Sequence, residues 1–423
     1  MPANAEIVSL GSACDKALQR SYDLVLGAID TGISKNKIRE AKVSFYPTLN
    51  GSVNTEYVGG FGNQNTLQNQ SAVVVGNTIL PGNTRFQNAI SLNANYTIAD
   101  FGVRSNQLRA AKQHAHSSEI QQKIQVRDLR LDVLDAYTQA LLTYKEMKSK
   151  EHQLRLQAEQ FELKTRLWHS GKISRIELGE QAIIKGNTET ELQAIRQSLG
   201  EKLNKLSSYT QEPYHVSSVQ MDDLDPDPSV KFEAVLPANL PDFKAYDLLI
   251  KEKQSEMQAI RAQRMPQLVA FGNFVLYGAN KGNWINSMGG IAPRAVYMGI
   301  GMQLPVFDGF KSRVAVDGKK LEIARLIAER NKKLWSLRSD YEKSATAARL
   351  YGVELTTRAE LVTSSKDQLT MVIRLTESQV AERTKALTEQ IDLAKRQLDE
   401  DTTRVKSISA ALRLKIYSET ASK

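Results

Sequence analysis

Residues 82–212 and 306–423 contain no proline, and within them apolar side chains recur three and four positions apart. Leu134, Tyr137, Leu141 and Tyr144 form one such run, and Leu154, Ala158 and Phe161 another. Proline breaks helix interiors, and this spacing gathers an apolar stripe on one helix face. Each stretch is therefore predicted to hold a long helix and a returning partner. The first long helix is expected over about 102–170, a length of about 100 Å at ~1.5 Å per residue. Its return runs from just after Gly171 to about Leu206, and the second return from about Lys385 to about Tyr417. Both returns are too short to match their partners. Helices expected at about 242–264 and 7–43 can complete the first and second return respectively.

Ahead of each helical stretch the period changes to two. Leu49, Gly51, Val53, Thr55 and Tyr57 alternate with Thr48, Asn50, Ser52, Asn54 and Glu56. Ile90, Leu92, Ala94, Tyr96 and Ile98 alternate with Ser91, Asn93, Asn95 and Thr97. Leu268 to Tyr277 is rich in Val, Phe and Leu, and Val296, Met298, Ile300, Met302 and Leu304 alternate with Tyr297, Gly299, Gly301 and Gln303. Such alternation describes strands with one greasy and one wet face.

The order of elements occurs twice, and a two-fold repeat is more specific than any single motif here. Pro47 and Pro266 lie 219 residues apart, and Asp100 and Asp308 lie 208 apart, which assigns the longer hairpin loop to the first half. The predicted organisation is a first repeat over 1–210, with a β-hairpin at about 45–100 and a helical turn near 171. A linker or small subdomain follows over 211–241, which holds five prolines and the acidic run Asp222 to Asp227. The second repeat covers 242–423, with a hairpin at about 266–307 and a turn near 385. Four strands cannot close a barrel, which needs about eight or more. Three copies would supply twelve.

No run reaches the ~18 consecutive apolar residues of a membrane-spanning helix, although 41% of the chain is hydrophobic. Barrel strands are short and only half apolar, so a β-barrel stays open. The net charge of +9 comes from Lys and Arg interleaved with acidic residues along the helices, with no concentrated basic run. That favours solvated helix faces over nucleic-acid binding. The lone Cys14 excludes an internal disulfide. Gly11 stands where a lipidation signal wants Leu, so Cys14 reads as an ordinary helical cysteine. Ala3-Asn4-Ala5 before Glu6 fits a signal-peptidase site without an apolar segment ahead of it, so either the gene start is expected to lie further upstream or the sequence to begin near the mature end.

Several segments resemble the TolC or outer-membrane-factor family of outer membrane efflux proteins. Ala41-Lys42-Val43-Ser44-Phe45-Tyr46-Pro47-Thr48-Leu49 is similar to its helix-to-strand entry, and Pro266 holds the equivalent place. Ile98-Ala99-Asp100-Phe101-Gly102 and Val306-Phe307-Asp308-Gly309 resemble its strand exits. Gly171-Lys172-Ile173-Ser174-Arg175-Ile176-Glu177-Leu178 resembles its helical tip turn, whereas the stretch Arg383 to Thr388 lacks the tip glycine. The resemblance implies a mainly α protein whose twelve-stranded trimeric barrel sits in the outer membrane and continues into a long periplasmic α-helical barrel. It implies an exit duct for efflux or type I secretion of drugs, metals or proteins, working with a periplasmic adaptor and an inner-membrane transporter. Gly171, Lys172, Ile173, Ser174 and Arg175 would contact the adaptor. Glu177, where the family pattern places an acidic residue, would join Glu389 and Asp392, three apart on one helix face, in a periplasmic gate. The loop 59–87, uncharged until Arg85, would face the cell exterior.

Other motifs carry less. His114 and His116 are two apart on a helix, point in different directions and are expected to be exposed. Asp223, Asp225 and Asp227 imitate a calcium loop, but Pro228 replaces its glycine and Ala234 its twelfth ligand. Gly309-Phe310-Lys311-Ser312 lacks phosphate-loop spacing. No nucleophile–base pairing is evident, and neither catalysis nor a cofactor nor a metal is expected. Trp168, Tyr277, Trp284 and Tyr297 are candidates for an aromatic belt at a membrane interface, with Trp168 better read as tip packing. The competing reading is a periplasmic coiled-coil adaptor or structural protein without a channel. That reading predicts one helical hairpin between β-rich modules and a sustained heptad.

Overall fold

The computed structural model describes residues 6–57, 73–75, 78–80, 86–226, 236–237, 239–280, 282–378 and 382–422. The Pro228 and Ala234 positions of the calcium-like motif, and most of the loop 59–87, lie outside them. The elements run β1 (Glu6–Val8), α1 (Leu10–Arg20), α2 (Tyr22–Val43), β2 (Thr48–Tyr57), β3 (Val73–Val75), β4 (Thr78–Leu80), β5 (Phe86–Ala99), α3 (Val103–His169) and α4 (Arg175–Thr210). They continue with β6 (Val219–Met221), α5 (Pro241–Ala262), β7 (Gln267–Asn280), α6 (Trp284–Gly289), β8 (Ala292–Gln303), α7 (Lys311–Glu377) and α8 (Arg383–Ser422). Two pairs of corresponding helices match in length. α2 and α5 each have 22 residues, and α3 and α7 each have 67.

The chain divides into two compact units. The first comprises residues 1–31, 117–246 and 328–423 and is built from helices. Its larger core joins α1, α3 and α4. Ala13 and Ala17 of α1 share it with Ala136 and Ala140 of α3 and with Leu199, Leu203 and Leu206 of α4, and α1 lies closest to α4. Tyr137 lies at the centre, fully buried, and its hydroxyl reaches the Val8 carbonyl (2.8 Å) and the Asp222 carbonyl (2.7 Å). These contacts hold β1 and β6, a parallel pair in register Glu6↔Val219 to Val8↔Met221. The segment 211–241 is therefore more than a linker, because Tyr214, Val219, Met221 and Leu224 are core residues. Strands of three residues give no periodic signal in sequence, which is why this pair went unexpected. A second core joins Leu240, Leu337 and Tyr341 to Leu414 and Tyr417.

Three further expectations need correction here. The helix expected over 7–43 is interrupted at Ser21, which has extended ψ (117°) and whose hydroxyl accepts from Leu24 N (3.4 Å). The second turn falls before Arg383, so Lys385 lies in the first turn of α8. The N-terminal helix does not complete the second return: α1 packs on α3 and α4, and Gly27 of α2 approaches Gln125 of α3. Cys14 sits half-buried against the main core, and burial pushes its thiol up to about 11.

The second unit comprises residues 32–116 and 247–327. It contains a four-stranded antiparallel sheet in the order β2-β5-β7-β8. The hairpins β2–β5 and β7–β8 are the expected ones, and β5–β7 joins the repeats over 13 paired positions from Phe86↔Asn280 to Ala99↔Leu268. Within the first hairpin's loop, β3 and β4 form a short antiparallel ladder, Val73↔Leu80 to Val75↔Thr78. His114, expected to be exposed, is half-buried, with Nδ1 3.0 Å from Glu252 Oε2. An ionic cluster of Lys253, Glu256, Lys319 and Glu322 joins α5 to α7.

Candidate functional site

Residues directly opposite in an antiparallel ladder share a sheet face. On one face Leu49, Val53 and Tyr57 of β2 stand beside Ala94, Ile90 and Phe86 of β5. The row continues through Gly272, Leu276 and Phe274 of β7 to Met298 and Val296 of β8. Leu49, Val53, Leu92, Met298 and Ile300 are all exposed. The other face is polar across β2 and β5: Ser52 and Ser91 hydroxyls lie 2.7 Å apart, with Asn50 opposite Asn93. On β7 and β8 that polar face also carries Phe271, Val275, Tyr277 and Tyr297. Tyr277 and Tyr297 thus stand opposite the greasy face, and the belt assignment for them fails. Tyr277 is enclosed with Val275, Ala89 and Ala279. Sequence alternation on β8 already set Tyr297 apart from the greasy row.

Aromatics also stand at both ends of the greasy face. Tyr57 and Phe86 pair at the loop end, ring centroids 5.1 Å apart. Phe45, Tyr46, Phe101, Phe307 and Phe310 lie exposed around the helix junctions. The ten residues of β2 reach about 30 Å at ~3.3 Å each. That suits a tilted strand crossing an apolar band of roughly 25 Å between two aromatic girdles.

The junctions are built alike. Pro47 and Pro266 each stand immediately before a strand and follow a tightened last helical turn, with Tyr46 N bonded to the Val43 carbonyl (3.0 Å) and Met265 N to the Ala262 carbonyl (2.9 Å). At the exits an aspartate collects free helix N–H groups. Asp100 accepts from Gly102 N (3.2 Å), Arg104 N (2.9 Å) and Arg104 Nε (2.7 Å). Asp308 accepts from Ser312 N (3.0 Å) and from its hydroxyl. The turn needs two left-handed residues each time: Phe101 (φ 51°) and Gly102 (φ 104°), then Gly309 (φ 62°) and Phe310 (φ 63°). Glycine meets half of that demand, and a phenylalanine in this region costs roughly 1 kcal/mol. Arg104 also bonds the Ser44 carbonyl (3.2 Å) and lies 4.9 Å over the Phe45 ring, tying the first exit to the first entry.

Burial by itself raises the Asp100 carboxyl, but the hydrogen bonds from Arg104 and Gly102 outweigh it and hold the group below its ordinary value. A lowered folded pKa contributes stability above the ordinary carboxylate range, and that stability is lost as pH falls through the folded value. Asp100→Asn is expected to be less stable than the parent at neutral pH, with the gap narrowing below about pH 4. Thermal unfolding followed by circular dichroism across that range measures it. A gap independent of pH would remove the charge from the explanation.

At the helical turn, Gly171 (φ 71°) lets α3 end in a Schellman motif. Gly171 N bonds the Trp168 carbonyl (2.9 Å) and Lys172 N the Leu167 carbonyl (2.9 Å). Ser174 then caps α4, its hydroxyl accepting from Glu177 N (3.2 Å) and lying 3.5 Å from the Glu177 carboxylate. Lys172, Ser174, Arg175 and Ile176 are exposed and Ile173 is half-exposed. Nearby, Gln181 Nε2 reaches Gln160 Oε1 (3.1 Å), and Gln160 Nε2 reaches the Thr388 hydroxyl (3.0 Å), linking α4, α3 and α8. Nothing in the sequence singled out this polar ladder. Glu389 and Asp392 lie on α8, and Asp392 pairs with Lys395 (3.0 Å). Among the described residues no hydrogen bond or ion pair joins them to Glu177. No group of three or more His, Cys, Asp or Glu side chains converges there either.

Comparison with known proteins agrees with this architecture. Residues 13–210 match the family model for outer membrane efflux proteins. No curated protein matches the chain significantly. Among solved structures, CusC, described in terms of folding and transmembrane channel formation, superposes with a TM-score of 0.75 at 15% identity, over 96% of this chain and 91% of its own. VceC, an outer membrane protein of Vibrio cholerae, gives 0.73 at 15% identity over 95% of each chain. The CmeC outer membrane channel of Campylobacter jejuni gives 0.75 at 15% identity, over 96% of this chain and 86% of its own. Residues 13–210 thus match the outer membrane efflux protein model in sequence, and along nearly its whole length the mostly helical chain shares the fold of these outer-membrane channel structures.

Proposed function

We propose that the chain is one subunit of a trimeric outer-membrane exit duct. Three four-stranded sheets join edge to edge into a twelve-stranded barrel, and the helices continue as a periplasmic tunnel. The sheet carries this reading: its edge strands β2 and β8 have ten and twelve residues and, among the described residues, no further partner in the sheet order. Long open edges invite pairing. Because β2 and β8 are different edges, copies add head to tail and can close into a ring. Apolar side chains left exposed on α2 (Tyr22, Leu26, Ile29, Ile33) and on α7 (Leu321, Trp335, Leu350, Val353) support neighbouring copies along the helices too. The greasy face then meets lipid and the polar face lines water. A periplasmic adaptor would dock on Gly171, Lys172, Ile173, Ser174 and Arg175, and an inner-membrane pump would deliver drugs, metal ions or proteins. The adaptor-only reading is disfavoured by the two strand pairs, each placed before its own helical hairpin. Native mass spectrometry in mild detergent should find a homotrimer, and planar bilayers should show stable pores. A monomer that conducts nothing would overturn the proposal.

Glu177, Glu389 and Asp392 are assigned to a periplasmic gate in which three copies bring carboxylates around one axis. Glu177 also serves as the acidic side chain of a helix cap, and Lys395 offsets Asp392, so Glu389 is expected to dominate. Glu389→Ala with Asp392→Ala should raise single-channel conductance and weaken block by divalent cations. Unchanged traces would leave both as ordinary surface charges.

A further inference from the structure

The short helix α6 occupies a position that the duct alone does not require. Ser287 is fully buried, and its hydroxyl reaches the Gly278 carbonyl (2.9 Å), the Phe86 carbonyl (3.0 Å) and the Asn88 side-chain nitrogen (2.9 Å). Asn88 and Gly278 are opposite each other in the ladder, on the face that carries Ile90 and Leu276 two residues away. A Cβ on Gly278 would lie 2.2 Å from the Ser287 carbonyl oxygen and 2.9 Å from Ile291 N. Only glycine at 278 lets the helix lie this close. α6 is therefore seated on the greasy face, over the two central strands, away from the edges β2 and β8.

We propose that α6 is an interfacial foot that sits in the headgroup and acyl boundary of the membrane at the loop end of the barrel. This rests on the reading of the greasy face as lipid-facing. Trp284, Ile285 and Met288 are 43%, 73% and 42% exposed and share one side of the helix. They stand on the same sheet face as the Tyr57–Phe86 pair, and they extend that aromatic girdle outward. Trp is favoured at such boundaries because its ring is apolar and its N–H is not. The backbone is also prepared for a poorly hydrated setting, where unsatisfied peptide groups are costly. Asn280 Oδ1 accepts from Gly282 N (2.7 Å) and Asn283 N (3.2 Å). Asn283 Oδ1 accepts from Asn286 N (2.8 Å). Gly290 N and Ile291 N close the far end on the Asn286 and Met288 carbonyls at 3.1 and 3.2 Å. A neighbouring copy would pair at the strand edges and leave this patch uncovered, so lipid is its occupant.

The test uses the full chain with Trp284 as the only tryptophan (Trp168→Phe and Trp335→Phe), reconstituted in phosphatidylethanolamine and phosphatidylglycerol vesicles. Trp284 emission should shift to the blue relative to detergent-free loop peptides. It should be quenched by phospholipids brominated near the acyl carboxyl end more than near the methyl end, and resist aqueous iodide. A parallel chain carries its only tryptophan on the sheet (Ile90→Trp with Trp168→Phe, Trp284→Phe and Trp335→Phe). Quenching by brominated lipid at 90 but by iodide at 284 would overturn the foot and leave the duct standing. Loss of lipid quenching at both positions would overturn the duct reading itself.

Discussion

Arg127→Met is expected to destabilise the helical unit by about 3–5 kcal/mol, the typical cost of leaving one charge of a buried pair alone. Arg127 and Asp242 are almost wholly buried, their side chains 1% and 2% exposed. The two side chains form a bidentate pair, Arg127 Nη1 donating to Asp242 Oδ2 and Nη2 to Oδ1 (3.0 Å). Burial would lower the Arg127 pKa, but the bonds and charges of Asp242 and Asp128 raise it instead, so the guanidinium stays charged. Removing it strands the Asp242 carboxylate in the first turn of α5. Lys333 is 3.9 Å from Asp242 and half-exposed, so it offsets only part of the loss. The double change Arg127→Met with Asp242→Leu removes both charges and should recover most of the stability. Chemical denaturation followed by circular dichroism measures all three chains. A single variant within about 1 kcal/mol of the parent would show that the pair is not a stabilising contact.

Gly278→Ala should cost about 3 kcal/mol, at the upper end for forcing a methyl group into filled space. Its added Cβ would meet two backbone atoms of the α6 segment, neither of which can rotate away. α6 must lift, and the buried Ser287–Asn88 bond is lost with it. Gly299→Ala is the comparison: its Cβ would lie 2.8 Å from Phe271 Cζ, the far end of a side chain. The Phe271 ring can turn, so the expected cost there is below about 1 kcal/mol. Thermal unfolding followed by circular dichroism, together with Trp284 emission, would rank the two. Equal effects would mean that α6 is not held by close approach at Gly278.

Much of this fold is local and so was legible in residue order. The absence of proline from 82–212 and 306–423, with apolar residues three and four apart, specifies long helices because backbone bonding and stripe formation act within a few residues. Alternation at 48–57 and 90–98 specifies strands for the same reason, and Gly171 followed by Ser174 and Glu177 encodes a left-handed stop and a new cap. The Arg383–Thr388 stretch carried no such glycine, and there the expected turn was misplaced by a few residues.

What only the tertiary structure decided depends on partners distant in sequence. The β5–β7 ladder sets the order β2-β5-β7-β8 and turns Tyr277 away from the greasy face, because a side chain's face follows from pairing register as well as alternation. The three-residue strands β1 and β6 acquire meaning only when Tyr137 draws them together. Arg127 and Asp242 lie 115 positions apart, and each alone is an ordinary charged helix residue. The apolar side chains of α2 and α7, such as Tyr22, Leu26, Trp335 and Val353, remain exposed in a single chain. A stripe records that a surface is to be covered, and burial energy is indifferent to whether the cover comes from the same chain or another.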